Sequence, residues 1–374
     1  MKIALVHDDF MQWGGAERVV AAMMELYPDA PVYTLAYRDT VLPAGFDTSR
    51  LRTAFFQKML FRRFRNQLFF LHPIAFERFN LNEYDVVISS STRFAKSVIT
   101  QPQTTHIAYI NSPPRFLWPV SEGFGPRQYV NNFVSKTFIL FRPLIRVLLP
   151  PILTILRMHD FSTVQRIDYL IGNSKNVASR IQKFYRRNAR VIYPFADLSR
   201  FLSVPLSDGQ GEYFLVVSRL SSHKRVDLAV TACTSLNLPL KVIGTGPERE
   251  NLEKTAGGNI EFLGYLSDEE VVSHLKNCRA FIYPQEEDFG ITAIEAQALG
   301  KPVIAFNKGG AMETVENGKT GLFFEEQTVD ALCKALENFE QYTFDPTYIR
   351  EHAKEFSKDR FERELSAFVS EVGD

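Results

Sequence analysis

The strongest constraint on this chain is a rhythm. Short, continuous apolar runs alternate with longer helical stretches from one end to the other. In the first half the runs are Ile3–His7, Val32–Leu35, Val86–Ser89, His106–Ile110, Tyr169–Ile171 and Val191–Tyr193. In the second half they are Phe214–Ser218, Leu240–Ile243, Ile260–Leu263, Ala280–Tyr283, Val303–Phe306 and Gly321–Phe324. A run without polar alternation is the pattern of a strand buried on both faces. Helices between such strands imply βαβ units and parallel sheets, once in each half. A chain of 374 residues has room for two domains of ordinary size. Prolines, glycines and small polar residues collect around Tyr193-Pro194 and from Ser203 to Gly211, which places the linker there. The expected domains are 1–195, joined by a last helix at about 359–374, and 196–358. Ligands bind open parallel sheets at the carboxyl ends of the strands, so a cleft faced by two such sheets is the default site.

Composition removes other classes. A hydrophobic fraction of 45% with 23% charged residues is that of a soluble globular protein. Cys233, Cys278 and Cys333 are odd in number and form no C-x-x-C pair, against both a disulfide framework and a structural zinc site. His72, His106, His159 and His352 lack the i, i+4 pairing typical of metal ligands, and His7 closes the first strand. Lys2–Val6 is too short for a secretory h-region and runs into Asp8-Asp9. The most apolar segment, Phe138 to Leu156, contains Arg142, Arg146, Pro143, Pro150 and Pro151, so no transmembrane span is expected.

Zero net charge hides an asymmetry. Residues 1–200 hold 26 Lys+Arg against 14 Asp+Glu; the remainder holds 17 against 29. The first half is therefore built to meet something anionic: a phosphorylated substrate, an anionic membrane surface or nucleic acid. No nucleic-acid recognition motif accompanies the charge.

Three segments can carry chemistry. Trp13-Gly14-Gly15-Ala16-Glu17 follows the first strand and opens an amphipathic helix that Pro28 ends. Glycines there let a backbone approach a ligand, and free N–H groups favour an anion, although a plain strand-to-helix turn looks similar. Arg219 and Lys224, just past Phe214–Ser218, can clamp a diphosphate, or simply form a solvated basic loop. Glu286 to Pro302 is the most specific. A loop carrying Glu287 ends at Gly290, a helix runs from about Ile291 to Leu299 with Glu295 inside it, and Gly300 and Pro302 stop it. A sugar nucleotide needs amides at its diphosphate and carboxylates at its ribose and sugar hydroxyls; an acidic loop with a helix glutamate has the same spacing.

Glu287 and Glu295, with seven residues between, resemble the E-x7-E motif of the retaining GT-B glycosyltransferases of family four. The likeness extends to Phe289-Gly290, Gly300-Lys301-Pro302-Val303-Ile304, Gly14-Gly15-Ala16-Glu17, Arg219 with Lys224, Gly244-Thr245-Gly246-Pro247 and Asn317-Gly318-Lys319-Thr320-Gly321, in the family's order. Tyr109 to Trp118 resembles a subgroup that includes bacterial O-antigen mannosyltransferases, which usually has a histidine near the donor sugar where this chain has Asn111. The resemblance implies an α/β fold of GT-B type, two Rossmann-like domains with parallel sheets facing across a cleft. It implies donor binding by Gly14, Gly15, Gly244, Phe289, Gly290, Ile291, Thr292 and Glu295, and catalytic roles for Glu287, Arg219 and Lys224. Arg93, Lys96, Asn111 and Arg115 are candidates for the acceptor or its phosphates. The resemblance implies no metal and no other cofactor; the absence of a D-x-D triplet agrees with it, and two cations with a helix terminus can neutralise the leaving group instead.

The expected reaction moves a sugar, mannose from GDP-mannose, onto a lipid-linked saccharide in surface polysaccharide (O-antigen, lipopolysaccharide) assembly, with retention. The alternatives are a UDP-sugar donor, a sugar-nucleotide epimerase, or an idle glycan or lipid binder. A peripheral cytoplasmic location on the inner face of the plasma membrane goes with this reading. Its contact would be the stretch from Phe55 to Phe79, with eight Phe and Lys58, Arg62, Arg63, Arg65 and Arg78, read as a basic aromatic amphipathic helix; core filling by the same Phe is the alternative. Lys136 to Arg157 forms a second such patch.

Overall fold

The computed structural model describes residues 1–58, 64–119, 125–135, 142–206 and 211–373. They form two units, Met1–Tyr193 with Glu362–Asp374, and Pro194–Phe361.

In the first unit seven strands form one parallel sheet in the order β3-β2-β1-β4-β5-β6-β7. They are β1 (Ile3–His7), β2 (Val32–Thr34), β3 (Leu51–Thr53), β4 (Val86–Ser91), β5 (Thr105–Ile110), β6 (Tyr169–Gly172) and β7 (Arg190–Val191). Every residue of β4 is buried, as its unbroken apolar and small-residue run requires. The edge strand β3 was not legible: three residues with Arg52 at the centre carry no apolar run. Helices α1 (Gly15–Leu26), α2 (His72–Glu77), α3 (Pro126–Ser135), α4 (Arg142–Gln165) and α5 (Lys175–Tyr185) belong to this unit. Helix α1 buries Val19, Val20, Met23 and Met24, the face its 3.6-residue spacing marks.

The stretch from Phe55 to Phe79 does not form one amphipathic helix. Its described parts are a 3-10 turn at Phe55–Gln57, turns over 64–68, a second 3-10 turn at Phe69–Leu71 and then α2. Met59, Leu60, Phe61, Arg62 and Arg63 lie outside the described residues. Phe56, Phe69 and Phe76 are buried in a core cluster with Leu149, Leu153 and Leu156 of α4. Each such side chain contributes roughly 1.5–3 kcal/mol of burial, so these three serve the core, whereas Phe64 and Phe70 are exposed. Arg65, likewise, is paired with Asp9 at 2.8 Å rather than solvated. Of the second patch, Lys136 and Phe138 fall outside the described residues.

In the second unit six strands form a parallel sheet in the order β10-β9-β8-β11-β12-β13. They are β8 (Phe214–Val217), β9 (Leu240–Ile243), β10 (Ile260–Gly264), β11 (Ala280–Tyr283), β12 (Val303–Phe306) and β13 (Gly321–Phe324). Its helices are α6 (Ser199–Leu202), α7 (Val226–Ser235), α8 (Arg249–Thr255), α9 (Asp268–Asn277), α10 (Ile291–Ala298), α11 (Ala311–Thr314), α12 (Val329–Asn338) and α13 (Pro346–Lys354). Val216, Val242, Ile282 and Ile304 meet Leu228, Ala229, Leu332 and Leu336 in one apolar core. The last helix, α14 (Lys358–Gly373), starts in this unit, and residues from Glu362 onward count with the first. There Phe368 meets Tyr169 edge-on at 5.9 Å and Glu371 pairs with Arg190.

Both sheets reverse direction at one point, beside β1 and β4 in the first and beside β8 and β11 in the second. At such a switch point the connections diverge to opposite sides and leave a crevice beyond the strand ends. Among the described residues no helix is long and apolar enough to cross a membrane.

Candidate functional site

In the second unit the loops leaving β8 and β11 meet at the switch point. The β8 loop carries Arg219 and Lys224, and the β11 loop carries Glu287. Lys224 Nζ is ion-paired with Glu287 Oε1. The other carboxylate oxygen accepts from the Tyr283 hydroxyl at 2.6 Å. Both charges are partly buried, at 18% and 26% exposure, so water screens the pair less than at an open surface. A second bridge ties the same loops. Arg225, in the left-handed region at φ +50°, donates through Nη1 to Gln327 Oε1 at 3.0 Å, and Gln327 Nε2 donates to the Pro284 carbonyl at 2.8 Å. Arg219, on the same loop as Lys224, is exposed.

Glycines make the close packing of these loops feasible. A Cβ on Gly244 would stand 1.9 Å from the Ser218 carbonyl oxygen, and Gly244 sits at φ +133°. The Gly244 amide donates to the Gly264 carbonyl at 2.7 Å, and Leu220 N–H to the Thr245 carbonyl at 3.0 Å, so the loops after β8, β9 and β10 are laced by backbone. Tyr265, next to Gly264, is exposed. On the other side, a Cβ on Gly310 would lie 2.2 Å from Phe289 Cα, and the Gly310 amide donates to the Glu287 carbonyl at 2.7 Å. Gly290, at φ +101°, turns the chain into α10. Ile291 and Thr292 stand half-buried at its first turn, where helix amides lack intrahelical partners. Phe289 is buried.

Glu295 is placed differently from Glu287. It is buried in α10, with Arg200 Nη2 at 3.6 Å from Oε1, and Arg200 pairs in turn with Asp268. The structure therefore joins Lys224, Glu287 and Tyr283 in one cluster and sets Glu295 in another. The Asn317–Gly321 segment is a turn at the amino end of β13, with Gly318 at φ +78° and its amide on the Gly321 carbonyl. It lies at the opposite end of the strands from the site and acts on the fold.

The first unit has its own switch-point assembly. Asp8, just past β1, accepts four backbone amides: Thr92 at 2.6 Å, Arg93 at 2.8 Å, Phe94 at 2.8 Å and Ala95 at 2.7 Å. Burial by itself pushes its carboxyl up, but His7, the Thr92 and Ala95 amides and Arg93 outweigh that and hold it below the usual carboxylate range. Asp9 binds the guanidinium groups of Arg65 and Arg93. Gly14 donates its amide to Glu17 Oε2 at 2.9 Å, and burial raises the Glu17 carboxyl. Gly15 is exposed at the start of α1.

Arg93 remains partly exposed, and Arg115 half-buried. Lys96 does not fit the phosphate role. It is 1% exposed, its Nζ lies 2.7 Å from Asp160 Oδ1 and it donates to the Arg93 carbonyl at 2.6 Å. Asp160 Oδ2 accepts from Trp118 Nε1 and the Tyr185 hydroxyl, each at 2.7 Å. Lys96 is the buried cation of a core network. Asn111 is buried with Nδ2 on Ser90 Oγ at 3.0 Å.

Sequence reasoning did not single out Tyr283, Gln327, Arg200 or the Gly309-Gly310 pair. Tyr283 closes a strand and reads as core. Gly309-Gly310, after β12, is the one signal that was available. Among the described residues no three His, Cys, Asp or Glu side chains are grouped to hold a metal ion.

Residues 201–356, most of the second unit, match the family described as Glycosyl transferases group 1. The chain is 31% identical over 197 residues to an uncharacterized glycosyltransferase of Methanocaldococcus jannaschii, covering 51% of this chain and 55% of that one. It is 34% identical over 146 residues to the GDP-mannose-dependent alpha-(1-6)-phosphatidylinositol monomannoside mannosyltransferase of Mycobacterium tuberculosis, covering 34% of this chain and 38% of that one. The chain thus spans about half the length, or less, of these relatives. Among solved structures, HepE of Anabaena in complex with UDP superposes with a TM-score of 0.70 at 17% identity, over the full length of both chains. The fold is GT-B, with two parallel α/β sheets.

Proposed function

We propose that this protein is a retaining glycosyltransferase that moves a sugar, mannose from GDP-mannose, onto a lipid-linked saccharide in surface polysaccharide assembly. The observation that carries the transferase reading is the Lys224–Glu287–Tyr283 cluster at the β8/β11 switch point, with Arg219 on the same loop as Lys224. In the step proposed, the bond from the anomeric carbon to the diphosphate breaks and an acceptor hydroxyl takes the sugar, losing its proton. The departing diphosphate gathers negative charge. Arg219 offers a planar fork to it and Lys224 a point charge, stabilisation that grows as the bond breaks. Glu287 orients Lys224 and offers an acceptor to sugar hydroxyls. First-turn amides of α10 add the positive end of a helix dipole. These cations take the part a metal would play, so metal-independent turnover is part of the proposal. Glu295 and Arg200 are proposed for the nucleotide's ribose side, and the basic first unit for the acceptor, at a cytoplasmic membrane surface.

Mannose is supported by the mannosyltransferase of Mycobacterium tuberculosis among the relatives. A UDP-sugar donor is the second reading, favoured by the UDP in the Anabaena neighbour. Thermal shift with GDP, GDP-mannose, UDP and UDP-glucose separates them. A ligand at a hundredfold excess over Kd stabilises the native state by about 2.7 kcal/mol. A shift with the guanine compounds, lost in Arg219→Ala, is expected. A shift with uridine compounds alone discards mannose, and no shift with any of them overturns the transferase reading. Glu287→Ala is expected to abolish sugar transfer while leaving the protein folded.

A further inference from the structure

The described residues of Phe55–Phe79 form no single amphipathic helix, but α4 presents a different apolar surface. Leu144, Val147, Leu148, Ile155 and Met158 are each between 51% and 70% exposed. At 3.6 residues per turn these five positions and exposed Pro151 fall on one stripe about 100° wide. The opposite side of the same helix holds Leu149, Leu153, Leu156 and Asp160, all buried. The helix is thus apolar on both faces, and none of the described residues covers the outer one. A helix of a water-soluble protein turns polar residues outward, so a continuous exposed stripe marks a surface that is covered in use.

The charge around the stripe says by what. From Gly123 to His159 the sequence holds Arg127, Lys136, Arg142, Arg146 and Arg157 and no Asp or Glu. Arg127 and Arg146 are exposed. Asp160, the first carboxylate beyond, is buried against Lys96 and contributes no negative charge at the surface. A second copy of this chain would bring a face of the same positive sign, with repulsion across the contact. A bilayer of anionic lipids offers hydrocarbon for the stripe and phosphates for the arginines. Arg146 inside the segment and the two prolines at 150–151 suit a helix lying in the headgroup plane rather than across the bilayer.

We propose that the Leu144–Met158 face of α4 docks this protein on an anionic lipid bilayer, with the helix axis parallel to the surface. The proposal rests on the membrane location proposed above and names the face that makes the contact; its failure is distinguishable from failure of the transferase reading, because vesicle binding is measured without any sugar nucleotide.

The test is cosedimentation of the full chain with vesicles of phosphatidylcholine alone and of phosphatidylcholine with phosphatidylglycerol, at low and high salt. Binding to the anionic vesicles, weakened by salt, is expected. Val147→Glu/Ile155→Glu changes two exposed positions, and an unchanged melting temperature shows that it folds. It should lower the partition coefficient by roughly tenfold or more, and Arg146→Gln should lower it less and flatten the salt dependence. Two results overturn the proposal. One is absence of binding to anionic vesicles at low salt, or binding that both variants leave unchanged. The other is a dimer in solution that Val147→Glu/Ile155→Glu dissociates, which assigns the face to a second copy instead.

Discussion

Replacing Lys96 by methionine tests whether the buried network of the first unit is a structural support. Lys96 and Asp160 are 1% and 0% exposed and 2.7 Å apart. Methionine fills the volume of the lysine stem but leaves the Asp160 carboxylate with only the Trp118 and Tyr185 donors, each at 2.7 Å. Removing one partner of a buried pair leaves an uncompensated charge, a cost of about 3–5 kcal/mol. The converse change, Asp160→Asn, keeps an acceptor for Trp118 and Tyr185 but strands the ammonium, at a similar cost. In Lys96→Met/Asp160→Asn neither charge remains. The double variant should therefore lose far less than the sum of the singles, with a coupling of at least about 2 kcal/mol. Urea unfolding followed by tryptophan fluorescence reads this unit by itself, because Trp13 and Trp118 are the two tryptophans of the chain and both lie in it. Additivity of the two singles within about 0.5 kcal/mol, or a Lys96→Met cost below about 1 kcal/mol, would refute the reasoning. Such a result would also reopen a surface role for Lys96.

Three further outcomes follow from the same geometry. Gly310→Ala places a Cβ 2.2 Å from Phe289 Cα, so the 287–290 loop must move; a cost of about 1–3 kcal/mol and loss of any nucleotide-induced thermal shift are expected, checked by calorimetry with and without nucleotide. Tyr283→Phe removes the 2.6 Å hydrogen bond to Glu287, which should cost about 1 kcal/mol in denaturant titration and lower transfer rates with little change in fold by circular dichroism. Burial pushes His72 down to about 4 and His106 down to about 3, so both stay neutral in the folded chain while the unfolded chain takes up protons below its ordinary value near 6.5. Stability should therefore hold above about pH 6.5 and fall as pH drops toward 4, by about 2–3 kcal/mol for each histidine at pH 4.5, measured by urea unfolding across that range.

Much of this protein was legible because its information is local. The unbroken apolar run Val303–Phe306, preceded by Gly300 and Pro302, states a helix end and a buried strand within a few residues. Gly290, Gly300 and Pro302 mark the ends of α10 by backbone stereochemistry alone. The Glu287 and Lys224 loops could likewise be placed at strand ends from the order of the runs. What the chain does not write locally is partnership across long separations. Lys224 meets Glu287 across 63 positions, Lys96 meets Asp160 through the packing of α4, and Asp8 reaches the amides of 92–95 across 84 to 87 positions.

The aromatic stretch shows the same division. Its composition of Phe and Arg was plain, but whether a Phe faces lipid or core depends on what stands beside it, and α4 supplies Leu149, Leu153 and Leu156 for that purpose. Sequence by itself determined the two parallel sheets, the strand ends where chemistry gathers and the glycines that shape the turns, because hydrophobic period and allowed φ/ψ act over a few residues. Tertiary structure alone decided which carboxylate holds which cation, which lysine is core, and that the uncovered apolar face belongs to α4, because burial and charge pairing exist only once distant segments have been brought to within a few ångströms of each other.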